Sequence, residues 1–238
     1  MAMVEYVLEE QTALLTLGAG ENRFNPDFIH AVLSALDRIE AETDAAVLVV
    51  RSSHEKIFCN GIDLEWLTPI IRSQDTAAAT DFFYLLNRLF RRTLTYPMIT
   101  VAAITGHSFA GGAIWSCAFD FRFMRSDRGY FCFPEVDLGI PFLPGMLALL
   151  KKAIPMYKLE EMHHTGIRLT AEECARHHIV TKACTLERLV PEAMAFGRGL
   201  VKRREILREM KARLYRDILH ALDVEDVPYI ESGRFNID

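Results

Sequence analysis

The chain has 238 residues, half of them apolar and a quarter charged, the profile of a globular domain with a real core. Lys and Arg number 27 against 32 Asp and Glu, a net charge of −5 that argues against nucleic acid as a partner. No apolar run approaches the ~18 residues of a membrane span, and neither a signal peptide nor a lipidation tag is legible. The five cysteines (Cys59, Cys117, Cys132, Cys174, Cys184) are odd in number and never spaced C-x-x-C. Free, buried thiols in a reducing, cytoplasmic setting are expected, with no disulfide and no metal site.

Residues 3–8 and 12–17 read as a hairpin. In GENRFNPDFIHAVLSALDRIEAE, Asn25 is a good N-cap and Pro26 suits the first helical position. Phe28, Ile29, Val32, Leu33, Leu36 and Ile39 then fall on one helical face. AAVLVVRS (45–52) is continuously apolar, as a strand covered on both faces should be. Residues 74–94 form an amphipathic helix stopped by Tyr96-Pro97, and 98–105 is the next strand. Residues 119–125 read as a strand. After Pro144 the chain is mostly helical, with a capping box at Thr170 and one or two long helices over 187–221. Alternating strands and helices predict an α/β fold, with residues 1–185 as its core and 186–238 as a helical C-terminal region of the same domain.

The turn Gly106-His107-Ser108-Phe109-Ala110-Gly111-Gly112 between strand and helix admits three chemistries. A phosphate cradle lacks both glycine-rich signatures and a following lysine. A serine elbow at Ser108 has the right strand–turn–helix setting, but the later histidines lie in charged, helical contexts. In the third reading small residues let a ligand approach the backbone, and a helix starting near Ala113 leaves the Gly112 N–H as a donor for a developing oxyanion. The loop around Ile62 can supply a second donor.

Three segments carry a resemblance to the crotonase (enoyl-CoA hydratase/isomerase) superfamily: IFCNGIDLEWL, ITGHSFAGGAIWSCAFDFRF and FCFPEVDLGIPF, in that order. The resemblance implies a crotonase-like core of (ββα) units and C-terminal helices that build a homotrimer or dimer of trimers. It implies an acyl-CoA substrate, coenzyme A entering only as part of it, and no other cofactor. Carried over, the Ile62 and Gly112 N–H groups polarise the thioester carbonyl, and Glu135 is the catalytic carboxylate. Arg23, Phe24 and Pro26 flank the CoA moiety, and Asn60, Gly61, Asp63, Leu64, Gly111, Pro134 and Leu143 complete the candidate substrate-binding set. Asp63 also reads as the cap of a short helix. Hydratases of the family carry a second acid where this chain has Ile114, and the Δ3,Δ2-enoyl-CoA isomerases do not. The plant-type isomerases are further similar at GENRFNP, TGH and MRSDRG.

An isomerase is therefore the first expectation. A hydratase or other crotonase reaction using Glu135 alone, a non-catalytic acyl-CoA or protein-binding role, and a Ser108 hydrolase are the rivals. Asp137, two residues along an extended segment, shares a face with Glu135 and is the reserve base. The basic run 201–216 reads as an amphipathic helix with Ile206, Leu207, Met210 and Leu214 on one side and its charges in water.

Overall fold

The hairpin of β1 (Val4–Glu9) and β2 (Thr12–Leu17) pairs antiparallel from Val4 with Leu17 to Glu9 with Thr12. These coordinates come from a computed structural model, which describes residues 2–233. The chain then enters α1 (Pro26–Glu42), where the Asn25 side chain accepts the Phe28 N–H and Pro26 opens the helix. Next come β3 (Val47–Ser52), the short β4 (Ile57–Cys59), α2 (Leu64–Arg72), α3 (Thr76–Leu94) and β5 (Ile99–Ile104). A second short strand, β6 (His107–Phe109), feeds α4 (Gly111–Ala118), followed by β7 (Phe121–Arg125) and β8 (Phe131–Cys132). The rest is largely helical: α5 (Glu135–Leu138), α6 (Pro144–Ala153), α7 (Met156–Thr165) and α8 (Ala171–Arg176), then β9 (Lys182–Cys184) and α9 (Leu186–Arg198). α10 (Arg204–Leu214), α11 (Arg216–His220), a π-helical turn (Ala221–Glu225) and α12 (Val227–Glu231) end it.

Two sheets result. The larger has strand order β1-β2-β3-β5-β7-β9, antiparallel only at the hairpin; the smaller is the parallel set β4-β6-β8. Val47, Leu48, Val49 and Val50 of β3 are all buried because both faces of the larger sheet are covered. Leu48 and Val50 join the main core with the inner face of α1. Val47 and Val49 pack with Leu189, Ala193 and Met194 of α9. Each such side chain contributes about 1.5–3 kcal/mol by leaving water.

Four expectations change. Strand β7 begins at Phe121, since the Phe119 N–H closes α4 on the Ser116 carbonyl and Asp120 binds Thr100. Helix α4 begins at Gly111, two residues before the expected Ala113, because the Ala110 carbonyl already accepts the Ile114 N–H. The stretch 187–221 divides into α9, α10 and α11, with 199–203 outside any helix. Most consequentially, α10 is turned the other way. Ile206, Met210 and Leu214 are exposed, while Arg204 and Lys211 point inward. Arg204 donates to the carbonyls of Glu40, Thr43 and Ala45 at the end of α1, and Lys211 to those of Tyr96 and Met98. Those orphan carbonyls, invisible in a periodicity count, set the rotation of the helix. The surface pair Glu209–Arg213 forms as the spacing predicts.

Candidate active site

The small sheet gathers the three segments. Its parallel strands β4, β6 and β8 lie side by side, so their carboxyl ends deliver residues 60–62, 110–112 and 133–135 to one edge. The outer end of parallel strands is where α/β folds place ligands. The Ala110 N–H donates to the Cys132 carbonyl at 3.0 Å, tying the second segment to the third.

Close backbone approach shapes this edge. A β-carbon on Gly61 would lie 2.6 Å from the Gly111 nitrogen, and one on Gly112 would lie 2.3 Å from the Cys59 carbonyl oxygen. Gly61 also takes φ +74°, which favours glycine. Ala110 holds φ 50°, ψ −129°, an uncommon conformation for a residue with a side chain, and it turns the chain sharply from β6 into α4.

Two N–H groups are left facing the edge. Phe24 pairs with Ile62 through its own N–H to the Gly61 carbonyl (2.7 Å) and its carbonyl to the Asp63 N–H (3.0 Å). In a parallel bridge of this kind the N–H of Ile62 itself points to the opposite side. Gly112 lies in the first turn of α4, where N–H groups have no intrahelical acceptor and the helix dipole is positive. Such an arrangement is chemically suited to an oxygen that gains negative charge.

Glu135 stands at the start of α5, and it is 7% exposed. Its Oε2 is buried with no hydrogen-bond partner. Burial pushes its carboxyl up to about 7, opposed only slightly by its own backbone N–H. A group half-ionised near neutrality can both take and return a proton. Asp137 does not share its face: the segment is a helical turn, Asp137 is exposed, and its carboxylate lies beside Gly166. Ile114 is buried in α4 and brings no acid to the edge.

The other candidates fall into two groups. Gly61 and Gly111 form the edge itself. Pro134 precedes Glu135 and its carbonyl accepts from Asp137 and Leu138, closing the turn. Leu143 is half-buried at the head of α6 and packs on the core, beside Phe142, which meets Phe133 edge-on at 6.1 Å. The remainder have partners within the fold. Phe24 is fully buried between Phe28, Phe90 and Trp115, out of reach of a solvent-borne ligand. Both Asp63 oxygens are used, one capping α2 at Trp66 and one on Asn25. Arg23 is clasped by Glu21 (2.7 Å) and Glu65 (2.9 Å) beside a cavity of about 320 Å³ that Asp63 and Asn25 also line. Asn60 donates to Glu21, and its Oδ1 is buried without a partner. Pro26 is half-buried and Leu64 exposed, at the heads of α1 and α2.

Sequence reading missed Asn22, while Cys59 is the free, buried packing thiol it was expected to be. Asn22 is fully buried, donates to Ser52 and Phe58, and accepts the Ala19 N–H, holding the loop before α1 against β4. The Cys59 thiol donates to the Asn22 carbonyl, and burial pushes it up to about 12, so it is inert packing under Gly112. An asparagine in a loop carries no pattern that announces its role.

A crotonase-like fold whose small sheet presents backbone donors and one buried carboxyl is thus the class in hand. The family model for enoyl-CoA hydratase/isomerase matches residues 10–227, and the chain belongs to that family. It is similar to the peroxisomal enoyl-CoA delta isomerase 2 of Arabidopsis thaliana, 30% identical across 89% of this chain and 92% of the relative. Carnitinyl-CoA dehydratase of Escherichia coli O157:H7 is also 30% identical, over 79% of this chain and 69% of the dehydratase. In fold, the crystal structure of a probable enoyl-CoA hydratase from Mycobacterium tuberculosis H37Rv matches with a TM-score of 0.87 at 21% identity, covering 97% of this chain and 96% of that one.

Proposed function

We propose that this protein is a Δ3,Δ2-enoyl-CoA isomerase. The observation that carries the reading is the buried carboxyl of Glu135, its Oε2 without a partner, at the sheet edge that also carries Ile62 and Gly112, with Ile114 where the family's hydratases hold a second acid. Glu135 as carboxylate removes a proton from C2 of a 3-enoyl thioester. The electron pair moves into the C1 carbonyl, giving a dienolate whose oxygen is held in an oxyanion hole made by the Ile62 and Gly112 N–H groups. The same carboxylic acid then returns the proton at C4, and the double bond settles between C2 and C3. No atom is lost and no electron leaves, so the reaction calls for no redox cofactor, and CoA takes part only as the carrier. One such donor is typically worth about 10²–10³ in rate.

Hydration by Glu135 alone is the second reading, favoured by the similarity to dehydratases. A screen of acyl-CoA thioesters tests both: isomerisation of 3-hexenoyl-CoA without hydration of crotonyl-CoA supports the first, and the reverse overturns it. A homotrimer or dimer of trimers belongs to the same proposal, supported by the exposed apolar stripe Ile206, Met210 and Leu214 on α10 and checked by light scattering. A cytoplasmic setting is supported by five free, buried cysteines. Among the described residues no helix is long and apolar enough to cross a membrane.

A further inference from the structure

Helix α4 has eight residues, so its two ends lie only about 12 Å apart. Its first turn faces the candidate oxyanion position. The other end is crowded with cations. Lys152 Nζ donates to the carbonyls of Cys117 (3.0 Å) and Phe119 (2.7 Å). Arg122 Nη1 donates to Phe119 (3.0 Å) and Ser116 (3.4 Å), and its Nε to Ile179 (2.7 Å). Lys211 lies nearby with Asp120 (2.6 Å), whose Oδ2 takes Lys211 and both donors of Thr100.

Among the described residues no ion pair joins Lys152 or Arg122 to a carboxylate. Asp120 attracts both cations but pairs directly with neither; burying a cation with no direct anionic partner is costly, and neutral amides or waters would satisfy the same carbonyls. A negative helix end 12 Å from its positive end cancels part of the potential there. Cations on those carbonyls remove the cancellation and add their own field.

We propose that Lys152, with Arg122, is a positioning residue for the isomerase reaction, strengthening through α4 the hold of the Gly112 N–H on the dienolate oxygen. This inference rests on the isomerase reading. A unit charge at 12 Å in an effective dielectric near 20 is worth about tenfold in rate.

Lys152 also gives the effect a pH signature, because burial pulls its ammonium down to about 8. It is faced by Cys117 of α4, Asp120 and Arg122 at β7, Lys211 of α10, and the Tyr215 ring at 5.2 Å; Cys174 of α8 faces Arg122. Burial holds the Cys117 and Cys174 thiols and the Tyr215 phenol up in their neutral forms.

The test is kcat on 3-hexenoyl-CoA from pH 6 to 10, together with the infrared band of the ¹³C-labelled thioester carbonyl of bound butanoyl-CoA. Wild type is expected to lose activity above about pH 8. Lys152→Met should lose about tenfold in kcat at pH 7.5 with KM within twofold, show no alkaline fall, and shift the carbonyl band less on binding. Lys152→Arg should recover most of the loss and stay active at pH 9. An alkaline fall that persists in Lys152→Arg overturns the inference, even if Lys152→Met does not fold. Turnover with a carbonyl band that Lys152→Met leaves unmoved also overturns it. No turnover, but a band shift that Lys152→Met reduces, overturns the isomerase reading and leaves the electrostatic role in place.

Discussion

Gly112 and Cys59 are in backbone contact: a β-carbon on Gly112 would sit 2.3 Å from the Cys59 carbonyl oxygen and 2.7 Å from its carbon. Neither atom is the far end of a flexible side chain, so α4 must shift if the contact is filled. Gly112→Ala is expected to cost about 1–3 kcal/mol of stability by overpacking. It should also lower kcat by about 10² or more by moving a backbone donor. Urea unfolding beside a turnover assay checks it, and a variant that loses stability with full turnover would remove Gly112 from the site.

Glu135 sets a trade between activity and stability. Its folded pKa of about 7 lies above the ordinary 4.5, so the folded state prefers the proton. Stability is therefore full below about pH 4.5 and declines as pH rises through 7, by about 3 kcal/mol in all. Glu135→Gln should flatten that decline, be more stable than wild type at pH 8, and lose about 10²–10⁴ in kcat. The kcat/KM of wild type should rise with a midpoint near 7. Unfolding at pH 5 and pH 8, with the rate profile, measures both.

Ser108 is fully buried on β6 and its hydroxyl has no hydrogen-bond partner. With no base on its oxygen it is not an activated nucleophile. Ser108→Ala should keep wild-type turnover and be neutral or slightly more stable, since an unsatisfied polar group is removed. Fluorophosphonate labelling of wild type should be absent, and labelling that Ser108→Ala abolishes would revive the hydrolase.

Lys211 joins α10 to the core through Asp120, Tyr96 and Met98. Lys211→Met leaves the largely buried Asp120 carboxylate without its cation, and about 3–5 kcal/mol of stability should go. Adding Asp120→Asn should recover part of it. A double-mutant cycle by denaturant unfolding gives the coupling, and simple additivity would show that the pair is not the tie.

Local rules made much of the frame legible. Asn25 and Pro26 start α1 where cap chemistry says they should, and Thr170 with Glu173 forms its capping box. Val47 to Val50 read as a strand covered on both sides and are one. The small sheet escaped because its strands run three, three and two residues, too short for any alternation to register. Glu135 was singled out as a candidate, but its helical turn was not legible, since Pro134 and Gly139 bound only four residues. Helix α10 misled because its apolar stripe is real while its rotation is fixed by distant carbonyls. Ala110 is the hardest: nothing in an alanine signals the positive φ it takes at the junction of β6 and α4.

Phe24, expected at the CoA moiety, lies behind the edge. Its backbone brackets Ile62 on both sides, and its ring lies 3.4 Å from where a β-carbon on Gly111 would be. The two donors therefore hang from one buried residue, like the jaws of a caliper on a common pin. The spacing of the two segments is thereby tied to the packing of the core. Leucine in its place is expected to alter that spacing while leaving the outer face of the edge untouched.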